Sequence, residues 1–414
     1  MKVSLSKYFP KDTEYFYSFP AGEQSNFFNS VPAWKEELVA ARPLLCAGPT
    51  VKVITFAATL EPMVWNILRN DLGVPVAEQK NIITLPESLT AKITGKKRNE
   101  LVRKSLANLV TPGKFMMAQP YLYPELIEHF QIPPELSIWF NDKKNLPEYI
   151  PAEHLAKRYA SFENGKLFKK DEQAFPFPHV VKVSSSSSGD GVRICRSAKD
   201  LEKAKKEFRK IHGSIIIEEF VNYAYNLGVQ FGIPYNQKKP IEIIGVNEQL
   251  TTSSGEFLGA VVDCRKKFSH LAKVRSVLLK KVLPYVRKQG WYGVGGLDVL
   301  ICEDGSFYFI DCNFRMTAMT AYLYEIVNTK RKKSLVTFTG TYPGNEAEFR
   351  KNICPLARHN DKKAIIEIIT LTKHKDGFHF NAGMFFSEPE SIRENARLLL
   401  EQGIQSTVLN RFAA

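Results

Sequence analysis

The sequence predicts a multi-lobed protein of mixed α/β and α+β class, on three observations. The chain has 414 residues, beyond the roughly 100–200 of one ordinary domain, so about two to four lobes are expected. From Val51 to Trp139 short apolar runs alternate with helix-period stretches, the pattern of a parallel sheet with crossover helices. From His179 onward strand follows strand, joined by turn residues, with only a few helical stretches between.

In the first lobe, Val51–Phe56 is a strand and Ala57–Leu72 a helix, with Leu60, Val64, Ile67 and Leu68 at helical spacing. Ile82–Leu85 is a second strand, Asn99–Val110 a helix, and Lys114–Ala118 a third strand entered from the Pro112-Gly113 turn. Ile150–Pro178 reads as Pro-rich and irregular. His179–Val183 is then a strand that runs into Ser184–Ser188 and Gly189-Asp190-Gly191, followed by a strand at Val192–Cys195. Ala198–Ile211 is a helix, and Ser214–Val221 an apolar strand ending in paired acids. Strands near Tyr225–Ile233 and Ile241–Thr251 precede a helix over Leu271–Gln289, which Pro284 should kink. Val294–Cys302 and Ser306–Asp311 form a hairpin about Glu303-Asp304-Gly305, where Asp-Gly is a favoured tight-turn pair. Strands at Ala364–Leu371 and Phe378–Phe385 and a helix from Glu388 to Gln402, stopped by Gly403, complete the chain.

Composition narrows the classes. Apolar residues make up 44% and charged residues 24%, with Lys and Arg exceeding Asp and Glu by 14. A basic excess of this size points to phosphate-bearing ligands, an acidic partner, nucleic acid or an anionic surface. No run of about 18 apolar residues marks a membrane span, and the first ten residues do not read as a secretory signal. The six cysteines are scattered, which reads as buried thiols in a reducing cytoplasm. The first lobe has neither G-x-G-x-x-G nor a P-loop.

Three segments carry chemistry. Asp311 and Asn313 are two apart on a strand and face one way, and Asp298 lies on the partner strand. Oxygen ligands converging from adjacent strands suit a hard cation such as Mg²⁺, and Arg315, two residues on, reaches the same face to hold phosphate or carboxylate. A solvent-facing hairpin is the plainer alternative, but three aligned polar groups interrupting the apolar run Phe307–Phe314 favour a ligand. Lys182 enters a Ser/Gly loop that offers donors to phosphate, although composition alone also fits a flexible linker. Ile215–Val221 ends in Glu218-Glu219-Phe220-Val221, either a sheet edge or a seat for an adenine.

Taken in order, Lys182 with its loop, the Glu218–Val221 stretch and the Asp298…Asp311-x-Asn313-x-Arg315 set resemble the ATP-grasp superfamily, which includes D-alanine–D-alanine ligase, glutathione synthetase and biotin carboxylase. The resemblance spans roughly 143–318. The wider layout is similar to peptide and acyl-carrier ligases of natural-product pathways, the pheganomycin peptide ligase among them. The resemblance implies a pre-ATP-grasp α/β lobe over 1–140, a two-lobed ATP-grasp clamp over 141–330 with its small lobe near 179–221, and a C-terminal α+β segment over 331–414. It implies ATP contacts from Lys143 (Lys144 as fallback), Lys182, Ser187, Ser188, Gly189 and Gly191. Glu218, Glu219, Phe220 and Val221 would line the adenine hinge. Asp298, Asp311 and Asn313 would hold one or two Mg²⁺ ions, or Mn²⁺ in their place. The acidic ribose ligand usual in the family is replaced by Asn226.

The implied reaction is ATP-dependent carboxylate–amine ligation through an acyl phosphate, releasing ADP and phosphate, with Arg315 facing the transferred phosphoryl group or the substrate carboxylate. Arg265, in the basic Arg265-Lys266-Lys267, is either a stabiliser of the tetrahedral intermediate or part of a solvated loop. Partners are then small carboxylates and amines, with loading of an acidic carrier-protein thiol as the alternative, in which Lys330–Lys333 would receive the carrier. A basic nucleic-acid binder is the alternative from another class. It is disfavoured because the basic residues spread over the whole chain and are not interleaved with stacking aromatics. A soluble cytoplasmic protein is expected, with its oligomeric state left open, homodimer included.

Overall fold

A computed structural model describes residues 4–17, 32–86, 95–119, 123–186, 191–253, 255, 257–329, 334–359 and 361–414. Three sheets organise them. The first is parallel and four-stranded: β1 (Thr13–Phe16), β2 (Val51–Phe56), β3 (Ile82–Leu85) and β4 (Phe115–Met117), in the order β3-β2-β1-β4. The expected strands are all present, but the interior strand β1 lies ahead of the segment where the alternation begins. It is buried along its whole length, so it lacks the polar/apolar alternation of a half-exposed strand. The helical stretch after β2 is broken at Pro62, which begins a new helical turn and has no N–H to continue the old one.

The second sheet is a small antiparallel one: β5 (Arg158–Phe162), β6 (His179–Val183), β7 (Val192–Cys195) and β8 (Ile215–Glu219), in the order β5-β8-β6-β7. β5 falls in the stretch expected to be irregular and pairs antiparallel with β8. Helices Gly165–Lys170 and Ala198–Phe208 cover the sheet, and Phe168, Val181, Phe208, Ile215 and Ile217 form its core.

The third sheet has eight strands: β9 (Tyr225–Ile233), β10 (Glu242–Thr251), β11 (Phe257–Val262), β12 (Gly293–Ile301), β13 (Phe307–Asn313), β14 (Ser334–Tyr342), β15 (Ile366–His374) and β16 (Gly377–Phe386). Its order is β13-β12-β9-β10-β11-β14-β16-β15, so one sheet runs from the β12–β13 hairpin into the C-terminal segment. The long helix over Leu271–Lys288 buries Val274, Leu278, Val282 and Val286, with a wide turn at Leu278–Val282 just ahead of Pro284. A proline removes one helical hydrogen bond, and a widened turn accommodates that loss.

The first lobe is packed on the large sheet by the aromatic residues Tyr8, Phe9, Tyr15, Phe231 and Trp291, which share one core. The C-terminal segment is tied down in the same way. The His359 backbone N–H donates to the Leu72 carbonyl at 2.6 Å, and its imidazole lies between Glu367 and Glu325. Among the described residues no helix is long and apolar enough to cross a membrane.

Candidate functional site

The site begins with the β12–β13 hairpin. Asp304 caps its turn by accepting from Ser306 N, and Gly305 takes the left-handed φ of +84° that an L side chain resists. The resulting register sets Asp298 directly opposite Asp311, with Asn313 opposite Gly296. Asp298, Asp311, Asn313 and Arg315 all line one cavity of about 720 Å³ between the three sheets. Burial, and then the neighbouring Asp311 carboxylate, push Asp298 up to about 7, against the opposing pull of Gln249, Lys143 and Arg315. Two carboxylates aligned across a hairpin in a half-buried place repel each other unless a cation joins them.

Cations enter from two other segments. Lys143, from the 3₁₀ turn Lys143–Glu148, is 2% exposed; its Nζ stands 3.0 Å from Asp311 Oδ1 and donates to the Ser186 carbonyl at 2.7 Å. Lys144 instead points to the surface, with Nζ 3.5 Å from Asp142, so Lys143 is the lysine that lines the cavity. Lys182 on β6 donates to Glu218 Oε2 at 2.5 Å and to the Ile310 carbonyl at 3.3 Å. Glu218, expected at an adenine hinge, is thereby the buried partner of Lys182 and of Arg158, whose Nη2 is 3.2 Å away. Burial alone would raise its pKa, but Lys182 and Arg158 outweigh that and hold it below the usual carboxylate range.

Glu219, Phe220 and Val221 line the cavity, and Glu219 Oε1 accepts from Lys157 N at 2.8 Å. Asn226 lines it too, with a buried Oδ1 that has no hydrogen-bond partner; Asn247 Oδ1 is in the same condition. Asn247 lies across Gly228, where a Cβ would come within 2.9 Å of that Oδ1, so the glycine leaves room for the amide. Gly191 pairs with Val183 by a backbone bond of 2.7 Å at the base of the Ser/Gly loop. Ser187, Ser188 and Gly189, like the basic run 330–333, lie outside the described residues.

Arg265 is not brought to the cavity. It sits on the surface after β11, where it bonds Asp263 and Glu388, the latter at 2.7 Å.

Several residues were not singled out by the sequence patterns. Asn141 Oδ1 accepts from Phe314 N and from Arg315 Nη1 at 2.9 Å, orienting the arginine. Arg158 clamps Glu218 and also donates to the carbonyls of Lys143 and Lys144. Gln249 touches Asp298 from β10. None belongs to a spaced motif, because each acts across two segments distant in sequence. The Arg158–Glu218 cross-strand pairing is visible only once β5 is placed.

Comparison with known proteins matches this geometry. Residues 158–313 match the family described as L-aspartate–L-methionine ligase, ATP grasp. The chain is 34% identical over 91 residues to the formate-dependent phosphoribosylglycinamide formyltransferase of Methanocaldococcus jannaschii, covering 20% of this chain and 23% of that protein. It is 24% identical over 159 residues to the same enzyme of Pectobacterium carotovorum, covering 35% and 36%. The chain thus spans no more than about a third of the length of these curated relatives. Similarity of fold extends further. An N5-carboxyaminoimidazole ribonucleotide synthetase, solved as its ADP complex, has a TM-score of 0.59 at 13% identity, covering 96% of this chain and 99% of its own. The L-amino acid ligase of Bacillus licheniformis has a TM-score of 0.53 at 13% identity, covering 96% and 98%. The biotin carboxylase of Campylobacter jejuni has a TM-score of 0.53 at 11% identity, covering 85% and 86%. Residues 158–313 thus match an ATP-grasp ligase family, and the chain as a whole shares its fold with the N5-carboxyaminoimidazole ribonucleotide synthetase.

Proposed function

We propose that this protein is an ATP-dependent carboxylate–amine ligase that joins amino acids or related acids and amines through an acyl phosphate, with release of ADP and phosphate. The observation that carries this reading is one cavity in which opposed Asp298 and Asp311 meet Lys143, Lys182 and Arg315. The family matched at 158–313 and the L-amino acid ligase fold support amino acids as the substrate class.

The residues fit a divalent cation, since the donors are hard oxygens and two half-buried carboxylates stand opposite each other across the hairpin. Asp298, Asp311 and Asn313 would hold Mg²⁺, which when bound neutralises and polarises the terminal phosphates of ATP. Each lysine has three N–H donors. Lys182 uses two on Glu218 and Ile310, and Lys143 two on Asp311 and Ser186, so each retains one for a phosphate oxygen. Glu219, Phe220 and Val221 would seat the base, and Asn226 Oδ1 would accept from a ribose hydroxyl. Arg315, steadied by Asn141, would draw the acid's carboxylate to the γ-phosphorus.

A carboxylate oxygen then forms the P–O bond as ADP leaves. The amine attacks the activated carbonyl, loses a proton and expels phosphate. Positioning and charge neutralisation are the protein's part. The test is an ADP-release screen over L-amino acids, singly and in pairs, with hydroxylamine trapping the acyl phosphate as a hydroxamate. AMP and pyrophosphate as products would overturn the acyl-phosphate route.

A further inference from the structure

The cavity extends past the nucleotide-type residues to a wall that the chemistry above does not use. The N-terminal lobe supplies Tyr17, Trp34 and Arg42 to it, and the C-terminal segment supplies Thr339 and Ser406. Two polar atoms there are buried without a hydrogen-bond partner, Nε of Arg42 and Oγ of Ser406. Arg42 directly follows the helix Ala33–Ala41, and its guanidinium lies over the Tyr17 ring, 5.8 Å from the centroid. Ser406 stands at the first position ahead of the helix Thr407–Ala413, yet its hydroxyl makes no capping bond.

The contrast with two other cations of the cavity is informative. Lys143 is met by Asp311 and Lys182 by Glu218, whereas Nε of Arg42 meets no acceptor. Leaving a buried charged donor unpaired is costly, and a guanidinium fork matches a carboxylate in two parallel hydrogen bonds. The triphosphate already has Lys143 and Lys182. The carboxylate to be phosphorylated must lie at Asp298, Asp311 and Arg315, on the hairpin wall. An arginine that lines the same cavity from the N-terminal lobe is therefore available for an anion that takes no part in bond formation.

We propose that Arg42 anchors a non-reacting carboxylate of the substrate, with the Ser406 hydroxyl lining the same subsite. This rests on the ligase reading and deepens it: a substrate is then an α-amino acid or a dicarboxylic acid, and not only a simple monoacid joined to a simple amine. The anchored group has two sources, a second carboxylate on the acid that is phosphorylated or the free carboxylate of the amine substrate.

The test uses the full chain and its Arg42→Ala, Arg42→Lys and Ser406→Ala variants. Each pair of L-amino acids that the wild type joins is offered again with one free carboxylate converted to its amide. Arg42→Ala is expected to raise KM at least about 30-fold for the substrate that carries the anchored carboxylate, with kcat held within about three-fold, and to erase the preference for free acid over amide. Arg42→Lys, which keeps the charge but loses the fork, should raise KM by an intermediate factor, and it serves if the alanine variant does not fold. Ser406→Ala should raise the same KM several-fold.

Hydroxamate formation, run without any amine substrate, separates the sources. If Arg42→Ala weakens it, the acid bears the anchored carboxylate. If hydroxamate forms as in the wild type and only amide synthesis suffers, the amine substrate bears it. Equal use of free acid and amide by the wild type at both positions, or unchanged KM values in Arg42→Ala, would overturn the proposal. Absence of ADP and hydroxamate from the wild type with every acid defeats the ligase reading itself, and this inference with it.

Discussion

Lys182 Nζ and Glu218 Oε2 lie 2.5 Å apart inside the cavity wall, with side chains only 7% and 8% exposed. The pair is formed diagonally across β6 and β8, where Val180 stands opposite Glu218 and Lys182 opposite Ile216. An acid that a linear reading assigns to adenine instead fixes the lysine. Breaking a buried pair from one side strands the other charge, at about 3–5 kcal/mol. Glu218→Gln should lower the melting temperature by several degrees and raise KM for ATP. The double variant Lys182→Met/Glu218→Leu should recover part of the stability, Arg158 still lacking its acid, but not ATP binding. Equal instability of single and double variants would contradict this account.

The opposed carboxylates predict a pH-dependent response to metal. Asp298 is pushed up to about 7 in the folded chain and has an ordinary pKa near 4 when unfolded. Between these values the folded state binds the extra proton, so without metal this group's contribution to stability falls as pH rises through that window. Mg²⁺ favours the ionised form. The rise in melting temperature on adding Mg²⁺ should be larger at pH 8 than at pH 5.5, and an equal rise at both would count against the assignment.

Asp311→Asn should reduce ADP release at least about 100-fold. The change removes one of the paired acids and the charge 3.0 Å from Lys143. Steady-state turnover at saturating Mg²⁺ is the measurement, and retained activity would remove Asp311 from the metal site.

Asn226→Ala should raise KM for ATP about five- to ten-fold with little change in kcat, the loss of roughly one hydrogen bond. The unpartnered, buried Oδ1 motivates this. An unaltered KM for ATP together with a changed KM for the acid would move Asn226 from the ribose to the acid.

Arg265→Ala should leave turnover within about two-fold of the wild type, because its guanidinium is engaged by Asp263 and Glu388 at the surface, outside the cavity lining. A drop of more than about ten-fold would restore Arg265 to the chemistry.

The sequence by itself determined the local parts of this protein. The β12–β13 hairpin, its Asp-Gly turn and the common face of Asp311 and Asn313 follow from a period of two and a tight turn, both written within twenty-one residues, 293–313. Lys182 on the strand ahead of the Ser/Gly loop, the strands of the first lobe and the helix stop at Gly403, with φ of +90°, are local in the same sense. What only the tertiary structure decided joins segments far apart. It put Lys143 and not Lys144 in the cavity lining, made Glu218 the partner of Lys182 and Arg158, set Asn141 against Arg315, and left Arg265 out of that lining. It also inserted β1 in the interior of the first sheet and brought Arg42 and Ser406, far apart in the chain, into the lining of one cavity. The physical reason is that strand and turn preferences act over a few neighbouring residues. The partner of a buried charge is decided by burial, by strand register and by which distant segment closes over it.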